Sequence, residues 1–251
     1  MPSYLITGTS RGLGLEMASQ LSKNSENLIF ATARGAPTPA LQKLIDGSSG
    51  RVVYVQLDAE KEESIKSAVV QVEKHLNGKG LDILINNAGV MPFALNGVAT
   101  MDNLSSTFST NVLSVHLVTS AFIPLLQKGT EKKVFNVSTT LGSIAHAATY
   151  RQMPAPAYAV TKAALNMLTV QYSLGYEDQG FTFIALTPGW LKTDLGGDAA
   201  DLPVEVGAEA TLKIVQERGK EDTGKFINIK VAGWEKAPGR MNYYDGEEVA
   251  W

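Results

Sequence analysis

Thr7-Gly-Thr-Ser-Arg-Gly-Leu-Gly14 follows a short apolar run, Tyr4-Leu-Ile6, and leads into an apolar pattern of helical period over Leu13–Leu21. A strand that turns through glycines into a helix gathers free backbone amides and the partial positive charge of a helix N-terminus at one point. Small residues let that backbone approach a pyrophosphate. The spacing is not Gly-x-Gly-x-x-Gly, since the glycines fall at Gly8, Gly12 and Gly14. The strand-turn-helix setting is still the one a dinucleotide-binding turn requires. Gly8, Ser10, Arg11, Gly12, Leu13 and Gly14 are therefore the expected contacts on the phosphate side.

The rest of the chain repeats the alternation. Leu28–Ala31, Val52–Val55, Ile83–Ile85, Lys133–Val137, Phe181–Leu186 and Phe226–Ile229 read as further buried strands. Helical patterns lie between them at Glu62–His75, Leu104–Leu126, Ala157–Gly175 and Val204–Arg218. Strands apolar on both sides, alternating with helices, predict a parallel sheet covered on both faces. No repeat and no Pro-, Gly- or Ser-rich linker divides the 251 residues. The expectation is one α/β domain over residues 1–251, a doubly wound, seven-stranded parallel sheet of Rossmann type with helices on both faces.

Composition narrows the function classes. A net charge of -3 offers no long-range attraction for nucleic acid or an anionic membrane. No apolar run approaches the roughly 18 residues needed to span a bilayer, and Met1-Pro-Ser-Tyr lacks the features of a signal peptide. There are no cysteines, and His75, His116 and His146 have no metal-ligand spacing. A soluble cytoplasmic protein without a metal, a nucleic-acid partner or a membrane partner is expected.

Two further features carry chemistry. The second strand ends Ala33-Arg34, where a fold selecting NAD usually has an acid for the ribose hydroxyls. Arg34, with Arg11 nearby, suits a 2′-phosphate because guanidinium binds phosphate bidentately; NADP(H) is favoured. Tyr158-Ala-Val-Thr-Lys162 places a phenol and an ammonium one helical turn apart. A lysine charge held beside the ring lowers the tyrosine pKa from about 10, which makes Tyr158 a candidate general acid/base.

These residues resemble the short-chain dehydrogenase/reductase family over essentially the whole chain. Thr7–Gly14 looks like its glycine motif, Asn86-Asn87-Ala88-Gly89 its Asn-Asn-Ala-Gly, Asn111 its helical asparagine, Tyr158/Lys162 its Tyr-x-x-x-Lys, and Pro188-Gly189 its Pro-Gly after strand six. Gly142-Ser-Ile144, Pro188–Asp194 and the ending Tyr244-Asp-Gly-Glu…Trp251 look most like the C-factor and Sniffer-type carbonyl reductases. The chain departs from the pattern at the catalytic serine. Counting back three from Gly142 gives Thr139, with Ser138 just before it. Thr139 is expected to do the work, with Ser138 as the fallback.

The resemblance implies an NADPH-dependent reduction of a ketone or aldehyde in a small-molecule carbonyl or alcohol substrate. Tyr158 would be proton donor, Thr139 or Ser138 would orient the carbonyl oxygen, Lys162 would bind the nicotinamide ribose, and Asn111 would help hold a relay water. Asp58 would meet the adenine, Asn87, Ala88 and Gly89 would border the adenosine ribose, and Pro188, Gly189, Leu191 and Thr193 would lie against the nicotinamide. An enoyl reductase or isomerase on the same fold, or a non-catalytic NADP-binding sensor, are the alternatives; fold-mates of the sensor kind tend to lose the Tyr or Lys that this chain keeps. The loops Ala145–Pro156 and Trp190–Pro203 are candidate substrate walls, with Met91, Phe93, Tyr150 and Met153 as apolar lining. Asp198, Asp201 and Glu205 read as a solvated acidic face. In the family the two long helices, Leu104–Leu126 and Ala157–Gly175, form the usual subunit interface, so a homodimer or homotetramer is expected. Val231–Arg240 looks like an insertion shaping a pocket or an interface.

Overall fold

A computed structural model describes residues 1–236 and 241–251; the end of the Val231–Arg240 segment, 237–240, lies outside the described residues. The strands are β1 (Ser3–Ile6), β2 (Leu28–Ala33), β3 (Val52–Gln56), β4 (Ile83–Asn86), β5 (Lys133–Val137), β6 (Thr182–Thr187) and β7 (Phe226–Asn228). They form one sheet in the order β3-β2-β1-β4-β5-β6-β7, and every pairing is parallel.

The apolar runs have a physical cause in this layering. Successive strand side chains point to opposite faces. Ile6, Ile29, Ile85, Phe135 and Ile184 join one core with Met17 and Leu21 of α1 (Gly12–Ser22) and Leu212 and Val215 of α7 (Val204–Glu217). Leu5, Phe30, Leu84, Val134 and Phe183 point the other way, against Val72 of α3 (Glu62–Leu76) and Phe122 and Leu126 of α5 (Ser114–Lys128). A polar residue on either face of a central strand would lie in one of the two cores. Each fully buried Phe or Leu contributes roughly 1.5–3 kcal/mol.

Two helical expectations are corrected. Helix α2 (Pro39–Gly47) was not anticipated, though its signals are local. Proline occupies the first turn, and the Thr38 hydroxyl accepts from the Leu41 amide at 3.4 Å. The expected helix Leu104–Leu126 is present and runs to Lys128, but a π-helical turn over Ser109–Leu113 divides it into α4 (Leu104–Phe108) and α5. Taken together, Leu104–Lys128 is also long and apolar enough to cross a bilayer, contrary to the reading from uninterrupted runs. Serine, threonine and histidine break its apolar run without making it hydrophilic. Here 56% of its most apolar window is buried, as in a core helix. The catalytic-motif helix, α6 (Pro156–Gly175), packs beside it.

The chain changes direction between β1 and β4. Beyond the carboxyl ends of these neighbours the following loops part, opening the crevice where such sheets bind ligands. Opposite that crevice, Asp82 ties the sheet's other end together. Its carboxylate accepts from the Ser3 amide (2.9 Å) and hydroxyl (3.0 Å), and from the Thr130 amide (2.9 Å) and hydroxyl (2.8 Å). Burial raises the Asp82 carboxyl, but these four bonds outweigh it and hold it below the usual carboxylate range. A depressed folded pKa contributes stability above the unfolded value, lost as pH falls through the folded one. Asp82→Asn should therefore destabilise the fold by about 1–3 kcal/mol at neutral pH. In urea unfolding, the gap from wild type should close as pH falls below about 4.

Candidate active site

The glycine turn is built by close approach. A Cβ on Gly14 would lie 2.3 Å from the Gly8 carbonyl oxygen and 2.6 Å from Asn87 Nδ2. Gly8 has φ +73° and lies against Ala88, leaving no room for a side chain. The Thr7 hydroxyl accepts from the amides of Asn87 (2.9 Å) and Ala88 (3.0 Å), and Asn87 Nδ2 donates to the Thr7 carbonyl (2.9 Å). These bonds lock the ends of β1 and β4 together. No side chain caps α1, whose first backbone bond runs from Leu15 to Arg11 at 3.4 Å. The preceding amides are thus available to an anion.

One cleft of about 540 Å³ opens over this turn. It is lined by Gly8, Ser10, Arg11, Gly12, Leu13, Arg34, Asp58, Asn87, Ala88, Gly89, Ser138, Thr139, Tyr158, Lys162, Pro188, Gly189, Leu191 and Thr193. Two expected residues are not on the lining. Gly14 is enclosed by Gly8 and Asn87 and shapes the turn instead. Asn111, fully buried in the π-helical turn, exchanges two 2.9 Å bonds with the Val90 backbone and donates to the Thr161 hydroxyl at 3.1 Å. Its side chain pins the strand-four loop to α6 rather than facing the cleft.

The Tyr158 hydroxyl has no hydrogen-bond partner among the described residues, although the side chain is only 8% exposed. Lys162 Nζ lies 5.6 Å from the centroid of that ring and donates to the Val137 carbonyl at 2.6 Å. The expected lowering of the tyrosine pKa is corrected here. Burial pushes the Tyr158 phenol upward and pulls the Lys162 ammonium down to about 8. Desolvation penalises the charged form of each group. At neutral pH the phenol is protonated and the lysine is still largely charged.

The two hydroxyl candidates face different surroundings. Ser138 is 1% exposed and its Oγ donates to Asn166 Oδ1 at 2.6 Å. Thr139, in extended backbone, accepts the Leu141 amide at 3.3 Å, and its hydroxyl proton has no acceptor among the described residues. Gly142 follows in a tight turn against α6, where a Cβ would come within 2.8 Å of the Lys162 backbone.

Charged groups gather at the β1–β3 side of the cleft. Burial raises the Asp58 carboxyl, but the Lys61 bond, the Glu60 amide and the charges of Lys61 and Arg34 hold it below its ordinary value. Arg11 pairs with Asp194 at 3.3 Å, and both side chains are more than 70% exposed. Such a pair is worth at most about 1 kcal/mol, so Arg11 is free to exchange partners. The far side is apolar: Met91, Met153 and Tyr150 line it as expected, joined by Trp190, and Phe93, 52% exposed, does not. Gly196-Gly197 is a hydrogen-bonded turn, with Trp190 Nε1 donating to the Gly196 carbonyl (2.8 Å) and the Gly197 amide to Thr193 (2.8 Å). Met241, Asn242 and Tyr244 also line the cleft, and Asn166 and Thr161 support it from behind. No local pattern marks these contacts, because their partners lie 28 to 50 residues away or on another segment.

The chain belongs to the short-chain dehydrogenase/reductase family: the profile described as short chain dehydrogenase matches residues 3–201. It is an oxidoreductase of that family. Its relatives include the short-chain dehydrogenase/reductase AacuF of Aspergillus aculeatus, 37% identical over 75% of this chain and 74% of that protein. Among solved structures, the NADPH-bound carbonyl reductase from chicken fatty liver is similar at TM-score 0.85 and 32% identity, covering 100% of this chain and 94% of the other. The carbonyl reductase Sniffer of D. melanogaster is similar at TM-score 0.85 and 28% identity, with both chains fully covered.

The Ser138 geometry carries an expectation of its own. Ser138→Ala removes the donor that satisfies Asn166 Oδ1, and should cost about 1–3 kcal/mol in thermal or urea unfolding.

Proposed function

We propose that this protein reduces the carbonyl of a ketone or aldehyde with NADPH. The observation that carries the reading is the unpartnered Tyr158 hydroxyl, one helical turn from Lys162 and in the same cleft as Thr139. The ring is nearly buried, but Tyr158 lines the cleft and its hydroxyl is available to a ligand there. The nearby glycine turn fits a dinucleotide because the start of α1 carries no side-chain cap and Gly12, at φ +56°, lies on the cleft lining beside it.

Bound NADPH supplies hydride to the carbonyl carbon. The chain's residues do the rest. Tyr158 donates its proton to the carbonyl oxygen as charge develops there, and the Thr139 hydroxyl hydrogen-bonds the same oxygen. The largely protonated Lys162 offsets the phenolate left behind and offers a donor to the nicotinamide ribose. Asn111 acts indirectly, by fixing Val90 and Thr161. The α1 amides and Ser10–Leu13 hold the pyrophosphate. Arg34 and Arg11 hold the 2′-phosphate, Asp58 meets the adenine, and Asn87, Ala88 and Gly89 border the ribose. Pro188, Gly189, Leu191 and Thr193 lie against the nicotinamide. In this reading the substrate is a small uncharged molecule, because the far wall has no charged side chain among the described residues to meet one. Exposed Leu113, Val160, Met167 and Leu174 on the two long helices support assembly as a homodimer or homotetramer.

NADPH oxidation, followed by absorbance against a panel of ketones, aldehydes and quinones, tests the reading. Tyr158→Phe should bind NADPH with nearly wild-type affinity and lose turnover; a variant that still turns over would remove the general-acid assignment. Thr139→Ala should lower kcat by roughly 10²–10³, the effect of losing one oxyanion donor, whereas Ser138→Ala should keep kcat. Arg34→Asp should weaken NADPH far more than NADH in fluorescence titrations. Equal loss for both cofactors would count against the 2′-phosphate role.

A further inference from the structure

Asp201 lies in the acidic stretch after β6, yet it does not face solvent as a free charge. Its backbone is held where the β6–α7 loop folds on itself, with the Leu202 amide donating to Trp190 (3.1 Å) and the Lys192 amide to Leu202 (2.9 Å). Its Oδ2 accepts from Asn242 Nδ2 at 2.7 Å and from the Tyr244 hydroxyl at 2.6 Å. No basic side chain pairs with it among the described residues. The Tyr244 hydroxyl also accepts from the Trp190 amide (3.1 Å), and Asn242 Oδ1 accepts from the Tyr150 hydroxyl (3.2 Å). Three separate segments therefore meet through one carboxylate: the loop before α6, the β6–α7 loop and the C-terminal segment.

The residues tied together, Tyr150, Asn242 and Tyr244 by their side chains and Trp190 by its backbone amide, all line the cleft, and Asp201 does not. Hydrogen bonds to an ionised acceptor are roughly twice as strong as neutral ones. Burial, and then the bond to Asp201, keep Tyr244 protonated and able to donate. The backbone of the C-terminal segment is held separately, by Asn228 to Glu247 (2.9 Å), Gly246 to Ile229 (3.1 Å) and Ala145 to Trp251 (2.9 Å), so the carboxylate acts on the side chains of Asn242 and Tyr244. Asn242 and Tyr244 are also polar groups in a stretch of wall that Met91, Met153 and Met241 make apolar. Pockets orient ligands through such sparse polar groups.

We propose that Asp201 is a positioning residue for substrate: it clamps Asn242 and Tyr244 into the cleft wall, so that the C-terminal segment sets which carbonyl compounds bind. This rests on the carbonyl-reductase reading. The test compares wild type, Asp201→Ala, Asp201→Asn and, as a control on the same loop, the exposed Asp198→Ala. Steady-state kinetics with NADPH and a panel of aromatic and aliphatic ketones is joined to hydrogen exchange resolved by segment.

Asp201→Ala should raise KM for ketones by roughly tenfold or more, the loss of one well-placed charged hydrogen bond. Its kcat should stay within about twofold of wild type, with NADPH affinity unchanged, because the clamped wall binds substrate and transition state alike. Asp201→Asn keeps one acceptor oxygen and should recover part of the loss, and Asp198→Ala should match wild type. Exchange in Asp201→Ala should quicken at Trp190 and at 242–244 and not in β1, β4 or β5. Unchanged KM, or a fall in NADPH affinity as large as the rise in KM, overturns the clamp; so does unchanged exchange at Trp190. Wild-type protein that turns over no panel member overturns the reductase reading instead, and the substrate role of Asp201 with it.

Discussion

A lysine buried as deeply as Lys162 must be given acceptors, or it loses its proton. Its position explains much of what surrounds it. The Val137 carbonyl takes one ammonium hydrogen at 2.6 Å, which requires β5 to end beside α6. Gly142 has no side chain because the turn after β5 presses on the Lys162 backbone. Gly89 faces Asn111 Oδ1 and Lys162 Nζ, where a Cβ would come within 3.2 and 3.7 Å of them. The π-helical turn carries Asn111 to Val90 and Thr161, closing the loop after β4 over the same spot. Even so, desolvation brings Lys162 down to about 8. It is a cation held near its limit, next to a phenol that burial keeps protonated.

The cleft divides its chemistry along its length. Arg11, Arg34, Asp58, Glu60 and Asp194 stand on the β1–β3 side with the uncapped start of α1. Beyond Tyr158 the wall is methionine, leucine and aromatic, tempered by the hydroxyls and amide of Tyr150, Asn242 and Tyr244. One opening thus offers two different dielectric surroundings, one charged and one largely apolar. The parallel sheet makes this possible. Both faces are filled by cores, so the carboxyl edge is where loops, free amides and polar side chains can converge.

Much of this was legible in the order of residues, and particular cases show why. All seven strands were readable because burial on both faces demands unbroken apolar runs. Tyr158 and Lys162 were readable as a pair because helical spacing alone brings them together. The missing acid after β2 was readable because one residue type at one position decides which ribose substituent is favoured. Ser138 and Thr139 were not separable. Adjacent residues at a strand end point to opposite sides, and only the presence of Asn166 behind Ser138 shows which hydroxyl remains free. The pKa expectation for Tyr158 failed for a related cause, since sequence places a charge near the ring but does not say how dry the site is.

The sequence by itself determined the layering of the sheet, the glycine turn, the Tyr-x-x-x-Lys helix and the family. These depend on periodicity and on contacts within a few residues, where geometry follows from backbone rules. Tertiary structure alone decided the π-helical turn at Asn111, the commitment of Ser138 to Asn166, and the joining of Tyr150, Asp201, Asn242 and Tyr244 into one wall. Each of these depends on atoms brought within 3.2 Å from residues 21 to 92 positions apart. Hydrogen bonds fall off within an ångström of that distance, so no local pattern can record them.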